Sequence, residues 1–89
     1  MQDISKILKF KKAVGEVIKE LRATNTLSLN KFANQFDFDK GNLSRTERGL
    51  YNIYLITAWK ISEAAGIKFS DFAKKLEEKL GENFKFFEE

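Results

Sequence analysis

The sequence contains no cysteine, no histidine and no proline. Without cysteine there is no disulfide framework, thiol nucleophile or thiolate metal site. The lack of histidine also removes most nucleophile–base pairs and most transition-metal sites, leaving carboxylates, lysines and hydroxyls as the only catalytic groups. These form no convergent acid–base constellation, so the reading is of a non-enzyme that needs no cofactor. Long apolar runs are missing too, and nothing approaches the ~18 residues that a membrane helix requires. The opening "MQDISKILKFKK" mixes charge into its apolar residues, unlike a secretion signal. A cytoplasmic protein without membrane contact is expected. With no proline, Gly/Ser-rich linker, repeat or low-complexity tract to mark a boundary, residues 1–89 read as one domain.

What is present fits one small core. Hydrophobic residues make up 43% of the chain and charged residues 33%, a composition for a folded globular unit rather than a disordered one. The 16 Lys/Arg against 13 Asp/Glu give a net charge of +3, too small to diagnose a nucleic-acid partner. The distribution says more. Residues 1–52 hold ten Lys/Arg and six Asp/Glu, whereas residues 53–89 hold six and seven. Attraction to a polyanion therefore belongs to the first half, with ordinary surface solvation as the alternative.

Apolar spacing predicts five helices and no strand. In "FKKAVGEVIKEL", Phe10, Val14, Val17, Ile18 and Leu21 recur at intervals of three and four, one buried face of a helix that starts as early as Ile4 and ends around Ala23 to Thr26. Ser28 caps "LNKFANQF", in which Phe32, Ala33 and Phe36 share a face. Asp39 caps a third helix through its carboxylate, and Gly49 ends it in the left-handed conformation. Asn52 is expected to cap a fourth, "IYLITAWKISEAA", with Leu55, Ala58, Trp59 and Ser62 inward and Gly66 as its stop. Ser70 is expected to cap a fifth, "DFAKKLEEKL", with Phe72, Ala73, Leu76 and Leu80 on one stripe and Gly81 beyond it. An all-α fold follows.

Two helices joined by the tight "FDF" turn, the second carrying short polar and basic side chains, match the arrangement that sets a recognition helix in the DNA major groove. The segments "VGEVIKELR", "SLNKFANQFDFDKGNLSRTERG" and "LITAWKISEAAGIKFSDF" resemble the first helix, the bihelical motif and the fourth helix with its following turn of the phage-repressor/Cro-type helix-turn-helix domains, the XRE family. The resemblance spans residues 14–72, about two-thirds of the chain, and "LSRTERG" is its most specific part. It leaves residues 73–89 as a C-terminal extension.

The resemblance implies a lambda-repressor-like bundle of five short helices and a sequence-specific transcriptional regulator, a repressor acting on double-stranded DNA as a homodimer. Ala33 would sit where the motif helices cross, and Leu43 would anchor the third helix in the core. Lys40, Gly41, Asn42, Ser44 and Arg45 would then form the base-reading set. Arg45 is the guanine reader of choice, because its planar fork donates two bonds to the purine edge. Gly41 can contribute only through its backbone. Phosphate contacts would come from Ser28, Leu29 and Asn30 at a helix N-terminus, flanked by Lys31, Arg48 and Asn52. Arg22 and Glu47 would form a partly buried structural ion pair.

Three positions depart from the family pattern. Leu29 stands where Gln is common, Asp37 where the turn favours Gly, and Thr46 where a large apolar residue is usual, a volume that the phenylalanines are expected to refill. Other readings are an antitoxin with the same fold, whose aromatic tail would bind a protein partner, and a protein–protein adaptor without DNA binding. The run "DFDKGN" is not a calcium loop, because glycine and the closing glutamate are missing from their offsets. "KKLEEKLGE" is too short for a coiled coil. Phe84, Phe86 and Phe87 either fold back over the first helix or contribute to a dimer seam.

Overall fold

The computed structural model describes residues 4–87. Five helices run in order, α1 (Ile4–Thr24), α2 (Leu29–Phe36), α3 (Lys40–Glu47), α4 (Leu55–Ala64) and α5 (Phe69–Leu80), with no strand among the described residues. Val14, Val17, Ile18 and Leu21 make α1 the spine of the core. Phe32 and Ala33 from α2, Leu43 from α3, Ala58 and Ile61 from α4 and Phe72 from α5 close around it.

The α1–α3 crossing depends on Gly15, which the sequence reading passed over. A Cβ placed there would lie 2.7 Å from the Glu47 carbonyl oxygen and closer still to that of Thr46. Both atoms belong to backbone, so no side-chain rotation makes room. Only glycine lets the end of α3 lie directly on α1.

The ends of the motif helices follow local chemistry. Ser28 Oγ accepts from the Lys31 amide at 3.2 Å, and the Asp39 carboxylate accepts from the Asn42 amide at 2.8 Å. Asp37 takes the left-handed conformation (φ 58°) in the turn between α2 and α3, and Gly49 takes it (φ 76°) after α3. Thr26 is also left-handed (φ 56°), in the turn after α1. A β-branched residue is poorly suited to that region, at a cost of about 1–2 kcal/mol. Thr26→Gly is therefore expected to stabilise the fold by about 1 kcal/mol, raising the thermal midpoint by roughly 4–8 °C. An unchanged or lower midpoint would contradict this.

Two expected caps are corrected. The α4 helix begins at Leu55 with Tyr54 as its unassisted N-cap, and Asn52 lies in the preceding connector. The half-buried Ile53 packs against the core and draws residues 50–54 out of helical geometry, outweighing a side-chain cap at Asn52. Likewise α5 starts before Ser70. Ile67 and Phe69 dock against the core, and the Asp71 carboxylate reaches back to the Lys68 amide at 3.2 Å.

The inner face of α4 is corrected as well. Ala58, Ile61 and Ser62 turn inward, while Leu55 and Trp59 stay exposed. Nearly every turn of this helix offers apolar residues, so spacing alone permits either stripe. The small Ala58 and Ser62 allow the closer approach, and the Ser62 hydroxyl is satisfied by the Ala58 carbonyl at 2.8 Å. Trp59 stacks on Phe69 at the margin, with ring centroids 5.6 Å apart.

The tail folds back over α1. Phe84 and Phe86 lie 6.2 and 5.6 Å from the Phe10 ring and meet each other edge to face. Lys9 adds its ammonium over Phe84. Phe87 remains exposed. Across the bundle, Lys79 on α5 donates to Glu20 on α1 at 2.6 Å, which raises the Lys79 pKa; this contribution is present below the ordinary lysine range and lost as pH climbs through the raised value.

Candidate nucleic-acid interface

The α3 helix is held at both ends and along its inner side, which fixes what it presents to solvent. Asp39 caps its start, Leu43 enters the core, and Thr46 is buried with its hydroxyl donating to the Asn42 carbonyl at 2.7 Å. Phe36 and Phe38 line a surface hollow of about 390 Å³ beside Thr46, together with Leu43, Tyr51 and Ile53.

The last turn of α3 is tied to α1. Arg22 donates from Nε and Nη2 to the two carboxylate oxygens of Glu47, at 2.8 and 2.9 Å, and from Nη1 to the Leu27 carbonyl at 3.0 Å. The side chains are 16% and 8% exposed, so this planar pair is largely removed from water. The hydrogen bonds to Glu47 hold the Arg22 pKa above its ordinary value despite the opposing effect of burial. One guanidinium thus joins the end of α1, the turn leading into α2 and the end of α3.

With Leu43 and Thr46 inward, Lys40, Gly41 and Arg45 are exposed, and Asn42 and Ser44 are half-buried along the same helix. Arg45 Nη2 donates to Asn42 Oδ1 at 2.5 Å, and the guanidinium lies over Gly41, where a Cβ would sit 3.4 Å from Nη2. A methyl at position 41 would meet the guanidinium at ordinary contact distance, with the Asp39 carboxylate its tightest neighbour at 3.3 Å, so the bridge does not depend on the glycine. That pairing of Asn42 with Arg45 was not legible in residue types alone. Arg48, expected at the phosphate, curls back so that its Nε donates to the Ser44 carbonyl at 3.4 Å.

At the start of α2, the Lys31 and Phe32 amides are used by Ser28, while those of Leu29 and Asn30 belong to the free first turn. The Leu29 side chain packs against the core, so only its backbone can face a ligand. Lys31 and Asn30 are exposed. Asn52 is set apart from this group: it lines a hollow with Ile7, Phe10, Lys11, Phe86 and Phe87, on the side of α1 and the tail.

Two short helices joined by a left-handed turn, the second locked against a long first helix while its polar side faces outward, define a helix-turn-helix DNA-binding domain. No family model matches the chain. It is 38% identical over 64 residues to the control protein C.MunI of a Mycoplasma species, covering 71% of this chain and 86% of that protein. Among solved structures, an HTH_3 family transcriptional regulator from Vibrio cholerae is 31% identical with a TM-score of 0.69, over 76% of this chain but only 38% of its own. The restriction-modification controller protein C.AhdI from Aeromonas hydrophila is 26% identical with a TM-score of 0.65, over 70% of this chain and 94% of its own. The chain belongs to the XRE family of helix-turn-helix proteins and is a DNA-binding transcriptional regulator with the lambda-repressor-like fold. These relatives do not favour the antitoxin or adaptor readings. They are regulatory proteins rather than enzymes, and no described helix is long and apolar enough to cross a membrane.

Proposed function

We propose that the protein binds a two-fold related operator as a homodimer, each subunit inserting α3 into the major groove, and represses transcription by occupying a promoter. The observation that carries this reading is the outward set on α3, Lys40, Gly41, Asn42, Ser44 and Arg45, on a helix fixed by Leu43, Gly15 and the Arg22–Glu47 pair. Arg45 reads guanine through its fork, with Asn42 aligning it. The free amides of Leu29 and Asn30 receive a phosphate at the N-terminus of α2, beside Ser28 and Lys31. Arg48 swings out from Ser44 to a second phosphate, whereas Asn52, on the side of α1 and the tail, is left out of the contact set. The likeness to control proteins favours a locus of the same kind, in which the protein controls a restriction–modification operon. The chain acts as one unit without cofactor or catalysis, in the cytoplasm where its DNA lies.

Fluorescence anisotropy on the gene's own upstream DNA and on shuffled DNA, across a salt series, tests the reading. Lys31 and Arg48 give two cationic phosphate contacts per subunit and four per dimer, so the log–log salt slope should be about −4. Lys31→Ala should flatten it by about 2 on both DNAs. A flat slope with no preference between the two DNAs would overturn the proposal.

A further inference from the structure

The carboxylate of Asp39 serves as the α3 cap with one oxygen only. Oδ1 accepts from the Asn42 amide at 2.8 Å, while Oδ2 bonds to none of the described residues and Asp39 is exposed. The group stands on the outward side of α3. A Cβ built on the exposed Gly41 would lie 3.3 Å from Asp39 Oδ1 and 3.4 and 3.5 Å from Arg45 Nη2 and Nη1. A carboxylate and a guanidinium thus flank one point on the first turn of the helix, no further apart than about two base-pair steps of ~3.4 Å. Arg45 bonds to Asn42 rather than to this carboxylate, so both charged groups stay available to a ligand.

An acid on a face that meets DNA is opposed by the phosphates, and capping alone does not call for one. Serine and asparagine cap as well as aspartate, and Ser28 does so at α2. The α3 dipole favours a negative charge at this end, but it is indifferent to the base that lies opposite. We propose that Asp39 is a second base-reading residue, accepting through Oδ2 from the N4 amine of a cytosine in the pair next to the guanine that Arg45 reads. The inference rests on α3 being the recognition helix and deepens that reading. An ionised carboxylate can only accept hydrogen bonds. In the major groove guanine and thymine turn acceptors toward it, and adenine sets the N7 acceptor beside its amine. Cytosine alone offers a donor with no acceptor next to it. Arg45 has donors only, so the two side chains together select a guanine neighboured by a cytosine. The cap bond holds the carboxylate in one orientation, which lowers the entropy lost when the base docks.

Competition anisotropy against every single base-pair variant of one half-site of the upstream operator tests this. The proteins are wild type, Arg45→Ala, Asp39→Asn and Asp39→Ser, with thermal unfolding as the control for folding. An N-cap asparagine keeps its carbonyl on the Asn42 amide and turns an amine outward where Oδ2 stood, whereas serine keeps the cap and leaves no second polar atom. Both should melt close to wild type. Replacing the cytosine should cost wild type about fivefold to tenfold in affinity, the lower end of base discrimination. In Asp39→Asn the preference should pass to guanine or thymine, and in Asp39→Ser it should shrink below about twofold. The neighbouring guanine preference, erased by Arg45→Ala, should survive in both. Tighter binding to every DNA with the wild-type base profile unchanged would make Asp39 a cap and nothing more, and would overturn the inference while α3 still reads through Arg45. If Arg45→Ala also leaves the profile unchanged, the recognition-helix reading fails and this inference fails with it.

Discussion

Glu47→Ala is expected to destabilise the domain by about 3 kcal/mol, a drop of roughly 12–24 °C in thermal midpoint for a domain of this size. The cost does not come from losing a strong attraction, since desolvation offsets most of what two charges gain on meeting away from water. It comes from stranding Arg22. Its guanidinium lies mostly out of solvent, with three donors committed to Glu47 and the Leu27 carbonyl. Removing both charges together should cost far less, and Arg22→Met with Glu47→Leu is expected within about 1 kcal/mol of wild type. A loss below 1 kcal/mol for Glu47→Ala alone would mean that the pair is an ordinary surface contact. The measurement is denaturant unfolding of the three proteins.

Gly15→Ala should be nearly as damaging, although alanine is the better helix former by about 1 kcal/mol. The added methyl meets the carbonyls of Thr46 and Glu47, and neither backbone group can rotate away. Overpacking of this kind typically costs ~1–3 kcal/mol, and here it falls at the upper end because two helices must part. The separation also draws Glu47 from Arg22, so the two lesions share one mechanism. Combining Gly15→Ala with Glu47→Ala should therefore cost clearly less than the sum of the single effects. Full additivity, or a Gly15→Ala protein as stable as wild type, would show that α1 and α3 do not rely on this contact.

The same reasoning marks where the sequence was readable. Strict three- and four-residue spacing in α1 identified Phe10, Val14, Val17, Ile18 and Leu21 as one inward face; the last four are buried and Phe10 is half-buried against the core. The helix-turn-helix stood out because its punctuation is chemical: a serine cap, an aspartate cap and a turn with only short residues at its left-handed position. The α4 helix was not readable in this way. Its apolar residues occupy two faces, and the choice between them depends on which face meets small side chains, a tertiary fact. Caps at Asn52 and Ser70 failed because Ile53, Ile67 and Phe69 are held by the core, and burial of large apolar groups outweighs one exposed hydrogen bond. Gly15 carries no periodic signal at all; its role appears only when the carbonyls of α3 are in place. Within the interface, residue types indicated the outward set, but the bridge from Asn42 to Arg45 over Gly41 required coordinates.

These features assemble into one account. A long first helix, a glycine contact and a partly buried ion pair hold a short helix by its inner side and leave its polar side facing solvent. The most direct test is Arg45→Ala assayed by anisotropy on the upstream operator and on shuffled DNA at fixed salt. The operator should lose about 10- to 100-fold in affinity per half-site, the worth of one bidentate base contact, while shuffled DNA changes only a few-fold. An equal loss on both DNAs would make Arg45 a phosphate contact and contradict base reading by α3.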